Sequence, residues 1–173
     1  MTVDAHDPLP DDHVARIQAE WRRERPDLDP APQAIFGRLS RLAALIDVEL
    51  DAVFATFGLS AGEFDVLAAL RRAGDPFERT PTELASSTMI TAGGLTKRVD
   101  RLQTAGLVRR RTAEHDGRVR VVALTTKGRA LVDEAIAAHL ANEHRLLSLL
   151  EPPEREHLER ALRQWLRALA PQG

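Results

Sequence analysis

Between residues 91 and 120 the chain carries eight basic side chains: Lys97, Arg98, Arg101, Arg109, Arg110, Arg111, Arg118 and Arg120. Three acidic ones, Asp100, Glu114 and Asp116, oppose them. The local charge is +5 in a chain of formal net charge -2, so the remainder carries -7. A basic island in an acidic protein suits a polyanion, and guanidinium groups match phosphate with paired N–H donors. A second reading stays open. Lys97 and Lys127 are the only lysines, so arginine is this chain's default cation and a solvated arginine cluster also fits. A carboxylate poses a separate question. Asp65 interrupts GEFDVLAAL, residues 62–70, which is apolar after its glutamate. A buried charge is costly unless a partner meets it, so Asp65 points to an arginine or to a ligand with N–H donors.

Other chemistries find little support. There is no GxSxG, Walker or GxGxxG pattern, and no GK[ST] follows Gly93-Gly94. The six histidines are scattered without an HExxH, and cysteine is absent, so neither a metal site nor a thiolate nucleophile is expected. The protein is read as a non-enzyme without cofactor. The N-terminal MTVDAHDPLPDDHVA is acidic and lacks the apolar core of a secretion signal, and no apolar run reaches the length of a membrane span. A cytoplasmic location with no membrane partner is the expectation.

These groups need elements to position them. Val14, Ile17 and Trp21 form a stripe on a short helix over 12–24, which RPDLDPAP breaks. A long helix follows over about 32–57 and stops at Phe57-Gly58. Ser60 and Glu63 form a capping box opening a helix of about 60–72. DPFER reads as a loop. Thr80, Pro81 and Glu83 start a short helix of about 81–87. Thr91 caps a third, which buries Leu95, Val99 and Leu102 and ends at Gly106. LVRRRT and RVRVVALT are strands around an Asp-Gly turn. Helices of about 126–148 and 153–169 close the chain, with Trp165 on the apolar stripe of the last as core or interface. The fold class is mainly α with a small β-wing, a winged helix-turn-helix. One domain over 1–173 is expected, with N-terminal helices to 58, a lobe over 59–125 and C-terminal helices over 126–173. The long arms are too apolar to stand alone, which predicts a homodimer.

In a helix-turn-helix the second helix enters the major groove by its N-terminal end. Here that helix opens with TAGGLTKR, whose small first turn permits close backbone approach. Thr91, Gly93, Thr96, Lys97 and Arg101 are therefore candidates for contact with double-stranded DNA. Arg118 and Arg120 flank the hairpin turn and suit a minor groove or phosphates, with Asp116 holding the Arg118 guanidinium. A salt bridge at Arg101 and a merely solvated hairpin are the alternatives.

The stretch ELASSTMITAGGLTKRVDRLQTAGLVRRRTAEHDGRVRVVALTTKGRALV resembles the multiple antibiotic resistance regulator (MarR) family, with DGRVRVVALTTKG as the wing signature. The resemblance covers about residues 35–169. It implies a homodimeric winged-helix protein on palindromic operators, usually a repressor released by a small ligand. The carboxylate at Asp65 and the extra N-terminal helix are similar to the urate-responsive, PecS-like subgroup. That resemblance implies a ligand site of Trp21, Asp65, Arg98 and Arg110. The chemistry agrees: urate is a planar monoanion, for which arginines suit the oxygens, a carboxylate the N–H groups and an indole the face. Asp65 is then expected to pair with an arginine in the unliganded protein and with ligand N–H groups in the bound one. Other readings remain: a phenolic acid, a tricarboxylate or an antibiotic on the same arginines, no ligand at all, a structural Asp65–Arg98 bridge, Arg110 on phosphate, and Trp21 as packing.

Overall fold

In a computed structural model of the protein, residues 12–88, 92–112 and 120–169 are described, with backbone alone at 92 and 93. The chain divides into two compact units, residues 1–49 and 50–173.

The first unit opens with α1 (His13–Glu24). Asp12 is its N-cap: the carboxylate accepts the Ala15 N–H at 2.8 Å and pairs with Arg38 at 2.8 Å. These donors hold Asp12 below the usual carboxylate range, the backbone N–H first and the guanidinium second. The buried face differs from the expected stripe. It runs through Val14 and Gln18, while Trp21 is 46% exposed. Residues four apart stack on a helix, and the turn after α1 places the Pro30 carbonyl 2.9 Å from Gln18 Nε2, so an amide is satisfied inside. Val14 packs on the second helix, α2 (Gln33–Thr56), at Gly37, where a Cβ would sit 3.0 Å from Val14 Cγ1.

The end of α2 belongs to the second unit. There Gly58 takes φ 67°, Leu59 N–H reaches the Phe54 carbonyl at 3.1 Å, and Leu59 is buried. This paired closure of the last turn is the one glycine makes easy. The helices α3 (Ala61–Arg72), α4 (Pro81–Ser87) and α5 (Ala92–Thr104) follow. Both expected capping boxes are present, Ser60 with Glu63 and Thr80 with Glu83. α5 ends in the same way as α2, at Gly106 with φ 71° and Leu107 N–H on the Leu102 carbonyl at 2.9 Å.

Three antiparallel strands, β1 (Glu78–Arg79), β2 (Val108–Thr112) and β3 (Arg120–Leu124), lie in the order β1-β3-β2. The DPFER stretch, expected as a loop, thus contributes a strand. Two residues are too few to show alternation, and β1 exists because β3 offers it an edge. The core joins α3, α4, α5, the sheet and the next helix, α6 (Thr126–Leu147), through Leu67, Leu70, Leu84, Leu102, Val108 and Val132. The last helix, α7 (Pro152–Leu169), starts one residue earlier than the prolines suggested and buries none of its side chains. No described helix is long and apolar enough to cross a membrane.

Candidate nucleic-acid interface and ligand site

Leu95, Val99 and Leu102 are buried, which fixes the inner face of α5. At the helical period, Thr96, Lys97, Asp100 and Arg101 must then face outward, and all four are exposed. Two flanks remain, one towards β2 and one towards α3, and each carries one of the arginines assigned to a ligand.

On the β2 flank, Arg110 pairs with Asp100 at 2.6 Å and donates to Gln103 Oε1 at 2.8 Å. It sits opposite Val122 in the strand register. With Pro81, Leu84, Thr96 and Val99 it lines a recess of about 60 Å³. Arg110 therefore braces the root of the wing against α5. Its neighbour Arg111 turns to the other sheet face and meets Glu78 at 2.6 Å, across β3. Arg109 and Arg120 are exposed.

On the α3 flank, Arg98 lies against Gly62 of α3 and Gly94 of its own helix. A Cβ on Gly62 would stand 2.8 Å from Arg98 Cζ, and one on Gly94 would overlap Nη1. Ser60, Gly94, Lys97, Arg98 and Arg101 line a recess of about 340 Å³ on this side. No ion pair among the described residues includes Arg98, so the bridge to Asp65 is not among them. Asp65 is half-buried among fully buried neighbours and has bonding partners of its own. It follows Gly62 by one turn on the same side of α3.

The structure thus sets Arg98 against Gly62, one turn before Asp65 on α3, and Arg110 on the far flank of α5. Trp21 belongs to the 1–49 unit, where it lines a recess of about 260 Å³ with Leu28, Asp29, Pro30, Pro32 and Gln33. Gly93 falls in the first turn of α5. Thr91, Asp116 and Arg118 lie outside the described residues.

Three residues escaped the sequence reading. Glu63 is only 9% exposed; its Oε2 accepts the Ser60 N–H and hydroxyl at 2.9 and 2.8 Å, and its Oε1 lies 3.8 Å from Arg101. The salt bridge weighed at Arg101 therefore goes to Glu63 on α3. SAGE revealed Glu63 as a cap, but no local pattern ties a cap to a residue on another helix. Asp100 and Gln103 are the others, since their partner Arg110 arrives from a strand. Further back, Glu83 is held below the usual range by the Thr80 N–H, then by the Thr80 hydroxyl, with Arg79 adding a favourable charge. It fixes the start of α4, the helix that precedes the one facing outward.

A short helix pair with a wing, and a cationic outer face on the second helix, define a winged helix-turn-helix DNA-binding protein. The comparisons agree. Residues 57–119 match the model of the MarR family. The regulator PecS of Dickeya dadantii is 44% identical over 86% of this chain and 90% of its own. A MarR variant from E. coli, solved with operator DNA, superposes with a TM-score of 0.65 at 27% identity, over 84% of this chain and 97% of that one. BpsR of Bordetella bronchiseptica, whose DNA binding is regulated by 6-hydroxynicotinic acid, gives 0.66 at 25% identity, over 76% and 91%. The chain belongs to the MarR family of transcriptional regulators, and within it is PecS-like.

Proposed function

We propose that this regulator is a repressor that binds a palindromic operator as a homodimer and is released by a small planar anion, urate being the first candidate. The observation that carries the DNA half is the outward face of α5. Thr96, Lys97 and Arg101 are exposed there behind a small first turn that includes Gly93. Arg120 at the start of β3, and with it Arg118, Thr91 and Asp116, complete the proposed contact set. The terminal helices, to residue 58 and from 126, are the proposed dimerisation arms around a lobe of 59–125. Such a protein works in the cytoplasm.

The ligand half rests on Asp65 and Arg98, with Trp21 and Arg110 joining them by resemblance to the urate-responsive subgroup. A ligand that engages Asp65 and Arg98 touches α3 and α5 together, so it favours one arrangement of the two helices over another. That differential affinity is what a switch requires. The neighbour regulated by 6-hydroxynicotinic acid supports a planar heterocyclic anion as the ligand class. The engagement of Arg110 by Asp100 and Gln103 favours a variant of this reading, in which Arg110 holds the wing and the ligand meets Asp65 and Arg98 without it.

The test is operator binding near physiological salt with urate titrated in, beside citrate and a phenolic acid. Release by urate alone supports the proposal. Binding that no urate concentration disturbs sinks the ligand assignment. Asp65→Ala is expected to keep operator affinity within about threefold while raising the urate needed for release roughly tenfold or more. A collapse of DNA binding in that variant makes Asp65 structural.

A further inference from the structure

We infer that Gly62 and Gly94 are positioning residues for Arg98: together they form the slot that fixes its guanidinium between the first turns of α3 and α5. The ligand reading above supplies only the molecule that Arg98 meets; the slot is a property of this chain.

Glycine is a poor helix former, so each of these positions is filled against local preference. Neither has a positive φ, the usual reason for glycine. The obstacle to a side chain is the same in both cases. A Cβ on Gly62 would overlap Arg98 Nε, and one on Gly94 would overlap Arg98 Nη1. Gly128 shows the contrast, because a Cβ there would strike the backbone carbonyl of Leu107. The fold demands glycine at 128. At 62 and 94 the nearest atoms a Cβ would meet, among the described residues, all belong to the flexible side chain of Arg98.

The positive groups around Arg98 do not hold it there. Helix N-terminal turns carry partial positive charge, and Lys97 and Arg101 share the recess. A guanidinium with more room would move to solvent. Held in the slot, it joins two helix ends that favour an anion, so an anionic ligand finds its strongest donor already oriented. Filling the slot should displace that donor without harming the helices.

The full-length dimer tests this with Gly62→Ala, Gly94→Ala, Arg98→Lys, Arg98→Ala and the double variant Gly62→Ala/Arg98→Ala. Arginine Nε–H resonances are recorded by 15N NMR, with Arg98 assigned by its loss in Arg98→Lys. Thermal midpoints and the urate needed for half-release from operator are measured beside them. In Gly62→Ala and Gly94→Ala the Arg98 resonance is expected to move to the position of solvent-exposed arginines, with no fall in thermal midpoint. Half-release should then need roughly tenfold more urate. Adding Gly62→Ala to Arg98→Ala should change nothing further, because the group it displaces is gone. An unmoved resonance in both alanine variants overturns the inference, as does a Gly62 effect that persists without Arg98. Should urate fail to release the wild type, the ligand reading falls alone. The resonance and the midpoint then decide the slot by the same criteria.

Discussion

At the scale of single residues, the environment of each group settles what its type left open. Gly128 is the clearest case. Thr125 caps α6, accepting the Gly128 N–H at 2.9 Å, and its own N–H reaches the Leu107 carbonyl at 3.0 Å. That carbonyl lies where a Cβ on Gly128 would stand. Gly128→Ala should therefore push the end of α5 away from α6 and loosen the Thr125 bond, lowering stability by about 1–3 kcal/mol. Urea unfolding of the purified protein measures this, and a midpoint equal to wild type refutes the close approach. Sequence reading saw Lys127-Gly128 only as part of a wing signature. It named Lys97, Arg101 and Thr96 as DNA contacts from their place early in the second helix of the motif, and the three buried apolar positions of that helix put them on its outward face. It grouped Arg98 with Arg110 by resemblance to the urate-responsive subgroup, and nothing in the residues themselves says which flank of α5 a strand residue approaches. Their separation appears only once β2 is laid against the Asp100 and Gln103 side.

At the scale of elements, legibility follows from how local the cause is. The capping boxes of α3 and α4 and the glycine closures of α2 and α5 are complete within a few residues, and each was readable. β1 was not, because its hydrogen bonds come from β3, far along the chain. The locality of the α4 cap leads to a pH prediction. Glu83 is held below its ordinary value of 4.5, so its ionised form is favoured by folding. Its contribution is complete above the unfolded value and is lost as pH falls through the lower folded one. Glu83→Gln keeps an acceptor but removes the charge. The wild type should thus lose stability more steeply than Glu83→Gln as pH drops from about 5 towards 3. Parallel thermal melts across that range provide the comparison. Identical acid limbs would mean that the cap gains nothing from its charge.

At the scale of the whole molecule, the outstanding feature is apolar surface that one chain does not cover. α7 buries none of its side chains, although Leu158, Leu162, Leu166 and Leu169 recur along it. Leu166 is 69% exposed and Leu169 70%. Contiguous apolar surface of this kind suits an interface, and a second copy of the chain is the occupant that the proposed palindromic operator calls for. Leu166→Glu puts a carboxylate into that stripe while leaving the core of the 50–173 unit untouched. The lobe should still fold, and far-ultraviolet circular dichroism should match wild type. Sedimentation velocity should show the monomer. Operator affinity should fall by roughly a hundredfold or more, because the second half-site no longer binds at the effective concentration set by the first. A variant that stays dimeric and grips the operator as wild type does would assign dimerisation to other surfaces. A monomer with undiminished affinity would overturn the two-half-site reading itself, since each lobe would then be sufficient alone.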